Sequence, residues 1–258
     1  MTVSREAVDL RAEHLTVRFG GAVAIDDLSL CAPSGQVTGL IGPNGAGKTT
    51  TFNACSGLLR PDKGRILLAG RDVSEDPPQK RARAGLGRTY QRMQLCESMT
   101  VIANVALGPE ARLSGRAPWR HLFSPSDQQR AIATATDEAL ELCGIGDLRD
   151  RTISTLSTGK RRLVELARVL AGGFSVLLLD EPSSGLDEAE TEAFGQILRR
   201  VQLERRVGTL LVEHDMSLVM SICARLYVLD FGKLIFEGLP DEAQASEVVR
   251  AAYLGAPA

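Results

Sequence analysis

Hydrophobic and polar positions alternate over 10–19: Leu15, Val17 and Phe19 share one face, Thr16 and Arg18 the other. That is the period of a half-buried strand. Gly20-Gly21 turns the chain, and Ala24–Ala32 predicts a second strand through Ile25, Leu28 and Leu30. After a Pro33-Ser34-Gly35 turn, Val37–Ile41 reads as a short buried strand and Thr50–Leu59 as a helix. Pro61-Asp62-Lys63-Gly64 turns into a strand at Arg65–Ala69, closed by Gly70-Arg71-Asp72. A short helix is expected to about Arg83 after Pro77-Pro78, then a brief strand over Leu86–Tyr90, ending at Gln91. From Met93 to Arg162 strand character is lost. Helices are predicted over Thr100–Leu107 and Asp127–Cys143, with a loop rich in Gly, Pro, Arg and Ser between them at Gly108–Ser126.

Order returns with a helix over Lys160–Ala171 and the unbroken apolar run Ser175–Leu179, as in a strand buried on both faces. A helix (Glu188–Glu204), a buried strand (Gly208–Glu213) and another helix (Met216–Ala224) follow. Two strands over Arg225–Gly238 turn at Asp230-Phe231-Gly232, and one last helix covers Pro240–Leu254. Hairpin-like strands first and alternating strands and helices later predict a small antiparallel sheet beside a mainly parallel, helix-covered one.

The chemistry concentrates between the third strand and its helix. Gly42, Pro43, Asn44, Gly45, Ala46, Gly47, Lys48, Thr49 and Thr50 fit G-x-x-x-x-G-K-[ST], the phosphate-binding Walker A loop. Glycines let successive N–H groups point at phosphate oxygens, and the helix adds its positive end. Lys48 is expected to reach the β- and γ-phosphates of ATP, and the Thr49 hydroxyl to ligate Mg²⁺. Asp180 ends the second apolar strand, where a parallel sheet brings it to the loop; there it would hold Mg²⁺ with Thr49. Glu181 is next in line to polarise the attacking water. The competing reading makes both acids caps of the Pro182–Gly185 turn.

Composition narrows the class without choosing within it. The 258 residues allow one large domain, or one domain with an attached lobe. Thirty Lys and Arg against 32 Asp and Glu leave a net charge of −2, with no whole-chain attraction to nucleic acid or anionic lipid. Five scattered cysteines and three histidines make no metal-ligand spacing and suit a reducing compartment. Met1–Asp9 lacks the apolar core of a signal peptide, and no apolar run approaches a membrane span. A cytosolic chain reaching a membrane through partners is the expectation.

Leu156-Ser157-Thr158-Gly159-Lys160, about twenty residues before Asp180, resembles the L-S-G-G-Q signature of ATP-binding cassette (ABC) ATPases. Ser184-Gly185-Leu186-Asp187 resembles their D-loop, His214 their switch histidine and Gln91 their Q-loop glutamine, and the order and spacing agree over 10–254. The resemblance implies an α/β fold: a P-loop NTPase (RecA-like) core, an N-terminal antiparallel β subdomain and an inserted helical subdomain. It implies a single domain over 10–254, with 10–92 and 163–239 as β subdomain and core, 93–162 as helical lobe and 240–254 as a C-terminal helix. It also implies that His214 contacts the γ-phosphate and that Gln91 couples Mg²⁺ and water to the lobe. Phe19 would stack on adenine, unless it completes the apolar face with Leu15 and Val17. Ser157, Thr158, Gly159 and Lys160 would bind ATP held by a second subunit in a head-to-tail dimer. Thr158 and Lys160 depart from the pattern. Lys160 either adds charge beside the phosphate or, with Arg161 and Arg162, begins a solvated helix.

Arg88-Thr89-Tyr90-Gln91, Met99–Val105, Val212–Met216 and Ala252-Tyr253-Leu254-Gly255 resemble the branched-chain amino acid importer ATPases. That group implies a partner ATPase subunit, two membrane permease subunits docking near 91–105, and an extracytoplasmic binding protein, at the cytoplasmic face of the membrane. Trp119 with Arg116, Arg120 and His121 makes either a second contact with permease or headgroups or a solvated loop. An exporter or lipid-transport ATPase of the same fold is the alternative. A soluble cassette acting on nucleic acid or ribosomes fits less well, with one cassette and no long heptad segment.

Overall fold

The structure, a computed structural model, describes residues 9–91, 93–114 and 125–254. In chain order the strands begin with β1 (Leu10–Phe19), β2 (Ala22–Ala32), β3 (Val37–Ile41), β4 (Lys63–Leu68) and β5 (Arg71–Asp72). They continue with β6 (Leu86–Arg88), β7 (Val176–Asp180), β8 (Gly208–Val212), β9 (Arg225–Asp230) and β10 (Lys233–Gly238). Strands β2-β1-β4-β5 form an antiparallel sheet. The second sheet has the order β10-β9-β3-β8-β7-β6, parallel throughout except for the edge pair β10/β9.

Two apolar cores explain why the parallel strands read as unbroken apolar runs. Val176, Leu178, Leu210, Val212 and Leu40 face the antiparallel sheet, packing with Leu15, Leu28 and Phe52. Their alternates Leu177, Leu179, Leu211 and Ile41 face the helices and pack with Val164, Leu198 and Val219. A strand buried on both sides carries no polar alternation to mark its faces. The P-loop α/β architecture with an antiparallel sheet alongside agrees with the expectation.

The helices are α1 (Lys48–Ser56), α2 (Pro78–Arg83), α3 (Val101–Ser114), α4 (Pro125–Leu142) and α5 (Thr158–Ala171). Then come α6 (Glu188–Arg205), α7 (Met216–Ile222), α8 (Pro240–Ala245) and α9 (Glu247–Leu254). Helices α3, α4 and α5 pack on one another, and α5 runs unbroken across 162/163. Asn104 pins the approach to α3: its amide accepts from the Cys96 N–H at 2.8 Å and donates to the carbonyls of Cys96 (3.1 Å) and Thr100 (3.0 Å).

Three expectations need correction. The loop predicted from Gly108 begins as helix, since α3 continues through Pro109 to Ser114. Gly108 lets α3 lie against α5, because a Cβ there would stand 2.0 Å from the Arg168 carbonyl oxygen. That packing outweighs the hydrogen bond the proline forfeits. The single C-terminal helix is two, parted at Ser246, which is extended and whose hydroxyl accepts the Val249 N–H at 3.5 Å. Strand β4 starts at Lys63, inside the expected turn, because Lys63 already pairs with Thr16 of β1. Trp119, Arg116, Arg120 and His121 lie outside the described residues.

Arg81 shows how tightly the segment after β5 is tied down. It is 1% exposed and donates to the carbonyls of Ala54 (2.6 Å), Cys55 (2.8 Å), Asp76 (2.8 Å) and Ser74 (2.9 Å). Arg81→Met strips all four acceptors of their donor in a buried setting, and is expected to cost roughly 3–5 kcal/mol. Urea denaturation checks this; a change below about 1 kcal/mol contradicts it.

Candidate active site

The 42–50 loop joins β3 to α1 with a backbone only glycine accommodates at its first position. Gly42 has φ 146°, and a Cβ there would sit 2.1 Å from the Leu229 carbonyl oxygen. Gly47 (φ 105°) is the N-cap of α1, with no side-chain cap and no acid in the first turn. The N–H groups opening α1 therefore lack the usual internal acceptor, and they suit a phosphate. Asn44, Gly45 and Thr49 are exposed, Pro43 and Thr50 half-buried. Ala46 is buried, and its carbonyl accepts the Gly232 N–H at 3.1 Å, fastening the loop to the β9–β10 turn.

Lys48 is buried, and its Nζ donates to the carbonyls of Gly42 (2.6 Å) and Pro43 (2.9 Å) within its own loop. Desolvation holds its pKa below the usual lysine range, opposed by the charges of Glu181 and Asp180. The loop lysine and the acids at the end of β7 thus share one electrostatic site.

Asp180 is the last residue of β7, paired in register with Val212 of β8. Its carboxylate meets the Arg88 guanidinium at 3.3 Å, both side chains nearly buried. Thr89 Oγ1 accepts the Asp180 N–H at 3.2 Å. Burial pushes the Asp180 carboxyl up, and Arg88 opposes this.

Glu181 is held from two sides. Gln91 Nε2 donates to Oε2 at 2.9 Å, and His214 Nε2 lies 2.8 Å from Oε1. His214 Nε2 donates to this oxygen in the tautomer that carries its proton there. Glu181 itself has φ 47°, a left-handed backbone uncommon for a residue with a side chain. Three residues distant in sequence, expected separately, meet on one carboxylate. The turn-cap reading of the acids is not what the geometry gives, since both carboxylates engage side chains from other elements.

Phe19 closes β1 with 55% of its surface exposed, whereas Leu15 and Val17 are buried. Register shifts between Leu15, Val17 and Arg18 break the simple alternation, and Thr16 turns inward instead. Phe19 does not complete the core face; its ring is open to a ligand.

Ser157 is the N-cap of α5, its hydroxyl accepting the Lys160 N–H at 3.3 Å. Thr158 and Lys160 are exposed, Gly159 buried. A Cβ on Gly159 would stand 2.3 Å from Glu190 Oε1, and one on Gly185 3.3 Å from Thr158 Cγ2. These residues therefore pack on the 184–187 turn. Ser184 and Gly185 are exposed there and Leu186 half-buried, while Asp187 caps α6 in a capping box with Glu190. Among the described residues no hydrogen bond or ion pair joins 157–160 to 42–50. The basic run is not uniformly solvated as the sequence suggested: Lys160 is exposed, but Arg162 is buried.

Residues 25–184 match the model of the ABC transporter family. The chain belongs to the ABC transporter family. Residues 233–258 also match a model described as branched-chain amino acid ATP-binding cassette transporter. The chain is 36% identical over 249 residues to the high-affinity branched-chain amino acid transport ATP-binding protein LivG of Salmonella typhimurium, covering 95% of this chain and 97% of that one. It is 35% identical over 246 residues to the lipopolysaccharide export system ATP-binding protein LptB of Haemophilus influenzae, at 95% and 97% coverage. The crystal structure of an ABC transporter's ATP-binding cassette in its ADP conformation superposes with TM-score 0.84 at 28% identity, over 96% of this chain and 99% of that one.

In this ABC ATPase three charged residues join the site that the motifs alone did not single out for it. Arg88 gathers Asp180, Asn53 Oδ1 (2.9 Å) and Ser56 Oγ (2.7 Å), and lies over the Phe52 and Tyr90 rings. Glu213, 3% exposed, accepts the N–H groups of Ser183 (2.8 Å) and His214 (3.0 Å), tying the turn after β7 to the one after β8. Arg162 reaches the Gln91 carbonyl. Charge at the end of a short apolar run was the available signal for Arg88 and Glu213.

For a divalent cation the donor set is lean. No group of three or more His, Cys, Asp or Glu among the described residues is placed to hold a metal ion. Asp180 and the exposed hydroxyl of Thr49 suit Mg²⁺, which takes one or two protein oxygens and completes its shell with phosphate and water. The residues fit the ion.

Proposed function

We propose that this ABC ATPase drives import of branched-chain amino acids or similar small solutes, working as a head-to-tail dimer on membrane permease subunits. The hydrolytic part rests on one observation, Glu181 held between Gln91 and His214 beside the phosphate loop. The loop residues Gly42–Thr50 bind the phosphates of ATP, with Lys48 turning from its own carbonyls to the β- and γ-oxygens. Phe19 stacks on the adenine. Thr49 and Asp180, with Gln91, hold Mg²⁺, which when bound neutralises phosphate charge. Glu181 polarises the attacking water and His214 contacts the γ-phosphate. Ser157–Lys160 and the 184–187 turn of a second ATPase subunit complete each site from the opposite side. ATP favours the closed dimer because those contacts exist only there, and hydrolysis removes them. The segment 93–162 acts as the lobe that carries the motion to the permease near 91–105. No helix among the described residues is long and apolar enough to cross a membrane. In this reading the permease subunits hold the chain at the cytoplasmic face.

The import class is supported by the C-terminal family match and by LivG. Similarity to LptB favours a second reading, lipid export. The test is a pull-down of Glu181→Gln protein with ATP from its host's membranes, paired with uptake of labelled leucine in cells lacking the chain. Retained integral membrane subunits and lost uptake are expected. Normal uptake with impaired lipid export selects the second reading. Recovery of ribosomes or nucleic acid without membrane subunits overturns both.

A further inference from the structure

Helix α5 carries a charged row of buried Arg162 and Glu165 and half-buried Arg168, spaced i, i+3, i+6 so that all three lie along one side. The row grips the segment after β6 by its backbone. Arg162 Nη2 donates to the Gln91 carbonyl at 3.2 Å, and Arg168 Nη1 to the Gln94 carbonyl at 2.5 Å. The same Arg162 nitrogen also reaches the Ser184 carbonyl at 3.4 Å, in the turn after β7. One guanidinium therefore touches both the segment bearing Gln91 and the turn bearing Ser184, and sits five residues from Ser157.

The network is a poor stabiliser for its burial. Arg162 Nη1 and Glu165 Oε2 pair at 3.3 Å with side chains 6% and 3% exposed. Arg162 Nε and Glu165 Oε1 have no hydrogen-bond partner, and the nearest Arg168 nitrogen is 3.9 Å from Oε1. A half-satisfied buried ion pair is generally no more stable than an apolar replacement, so stability gives weak reason to keep it here. All its outward contacts go to main-chain atoms, which report where a segment lies and not which residue it carries.

We infer that Arg162 is a positioning residue: it fixes Gln91 and the Ser184 turn to the start of α5, so that movement of Ser157–Lys160 on a partner's phosphate shifts the groups around Glu181. The inference rests on the proposed hydrolytic reading for its consequence, and on the contacts above for its geometry. Arg162 touches neither the nucleotide loop nor Glu181 and acts only through the backbone.

The test uses the full chain as Arg162→Met and Arg162→Lys, with hydrogen exchange read at 91–95 and 183–186. Exchange in those two segments is expected to rise about tenfold or more in Arg162→Met while β3 and β8 keep their protection, and to recover in part in Arg162→Lys. ATP turnover should fall roughly 10–100-fold in kcat with KM within about twofold, because groups around the water are misplaced while the phosphate loop is intact. Unchanged exchange in both segments overturns the inference. So does exchange raised across the whole chain, or a KM that rises with kcat unchanged, since those mark a structural or binding role. If the unmodified chain neither hydrolyses ATP nor dimerises with it as Glu181→Gln, the proposed function fails, and exchange still decides whether Arg162 holds the two segments.

Discussion

Glu181→Gln is expected to lower ATP turnover by roughly 10²–10⁴-fold while leaving nucleotide affinity within about twofold, the effect of removing a general base. The carboxylate is the one group that Gln91 and His214 both address, at 2.9 and 2.8 Å. Glutamine keeps the length, and its carbonyl oxygen still accepts one of the two hydrogen bonds; its NH2 replaces the other acceptor and is satisfied once the Gln91 amide turns its oxygen inward, while the capacity to draw a proton from water is lost. The backbone makes this substitution a safe one. Glu181 sits at φ 47°, where any side chain is strained and glutamine no more than glutamate. Because the closed state is left only through hydrolysis in the proposed cycle, ATP should drive the variant into a lasting dimer. Steady-state turnover and ATP-dependent size-exclusion chromatography check both halves. A variant retaining more than a tenth of the turnover, or one that stays monomeric with ATP, contradicts the assigned role.

Lys48→Ala is expected to weaken ATP binding by roughly 100-fold or more and to abolish measurable turnover. The ammonium is already desolvated, and its partners are the Gly42 and Pro43 carbonyls. Those bonds already carry the ammonium's charge, and exchanging the neutral carbonyls for anionic phosphate oxygens adds the second charge and strengthens each one. Alanine removes that gain and leaves the loop's other ties in place, Ala46 N–H to the Pro43 carbonyl at 3.2 Å and Gly232 N–H to the Ala46 carbonyl at 3.1 Å. The variant should therefore fold as the parent does. Calorimetric titration with ATP reads the affinity and thermal unfolding reads the fold. An affinity within twofold of the parent's would place the phosphates elsewhere.

Much of the site was legible because its parts are local patterns. A phosphate loop needs glycines at set positions and a lysine at the helix start, and 42–50 shows this in nine residues. An acid ending a run of Val and Leu is conspicuous, as at Asp180, and so is a histidine just after one, as at His214. The family resemblance rested on such short patterns in order, and order survives without coordinates. What the patterns could not express was distance. That Gln91 and His214 meet on Glu181 follows from which strands are neighbours, and β6, β7 and β8 become neighbours only in the folded sheet.

Periodicity and local motifs by themselves determined the α/β class, most of the strand and helix order and the phosphate loop. These depend on spacing between residues close in sequence. Only the tertiary structure decided that α3 runs past Pro109, that the C-terminal segment breaks at Ser246, that Phe19 is exposed beside a buried Val17, and that Arg88 and Arg162 lie inside. All but the break at Ser246 turn on a contact with another element. Gly108 lies against the Arg168 carbonyl, β1 slips against β2 between Val17 and Arg18, Arg88 pairs with Asp180, and Arg162 binds the Gln91 carbonyl. Local propensity is worth tenths of a kcal/mol to about 1 kcal/mol per residue, and such contacts outweigh it wherever they form.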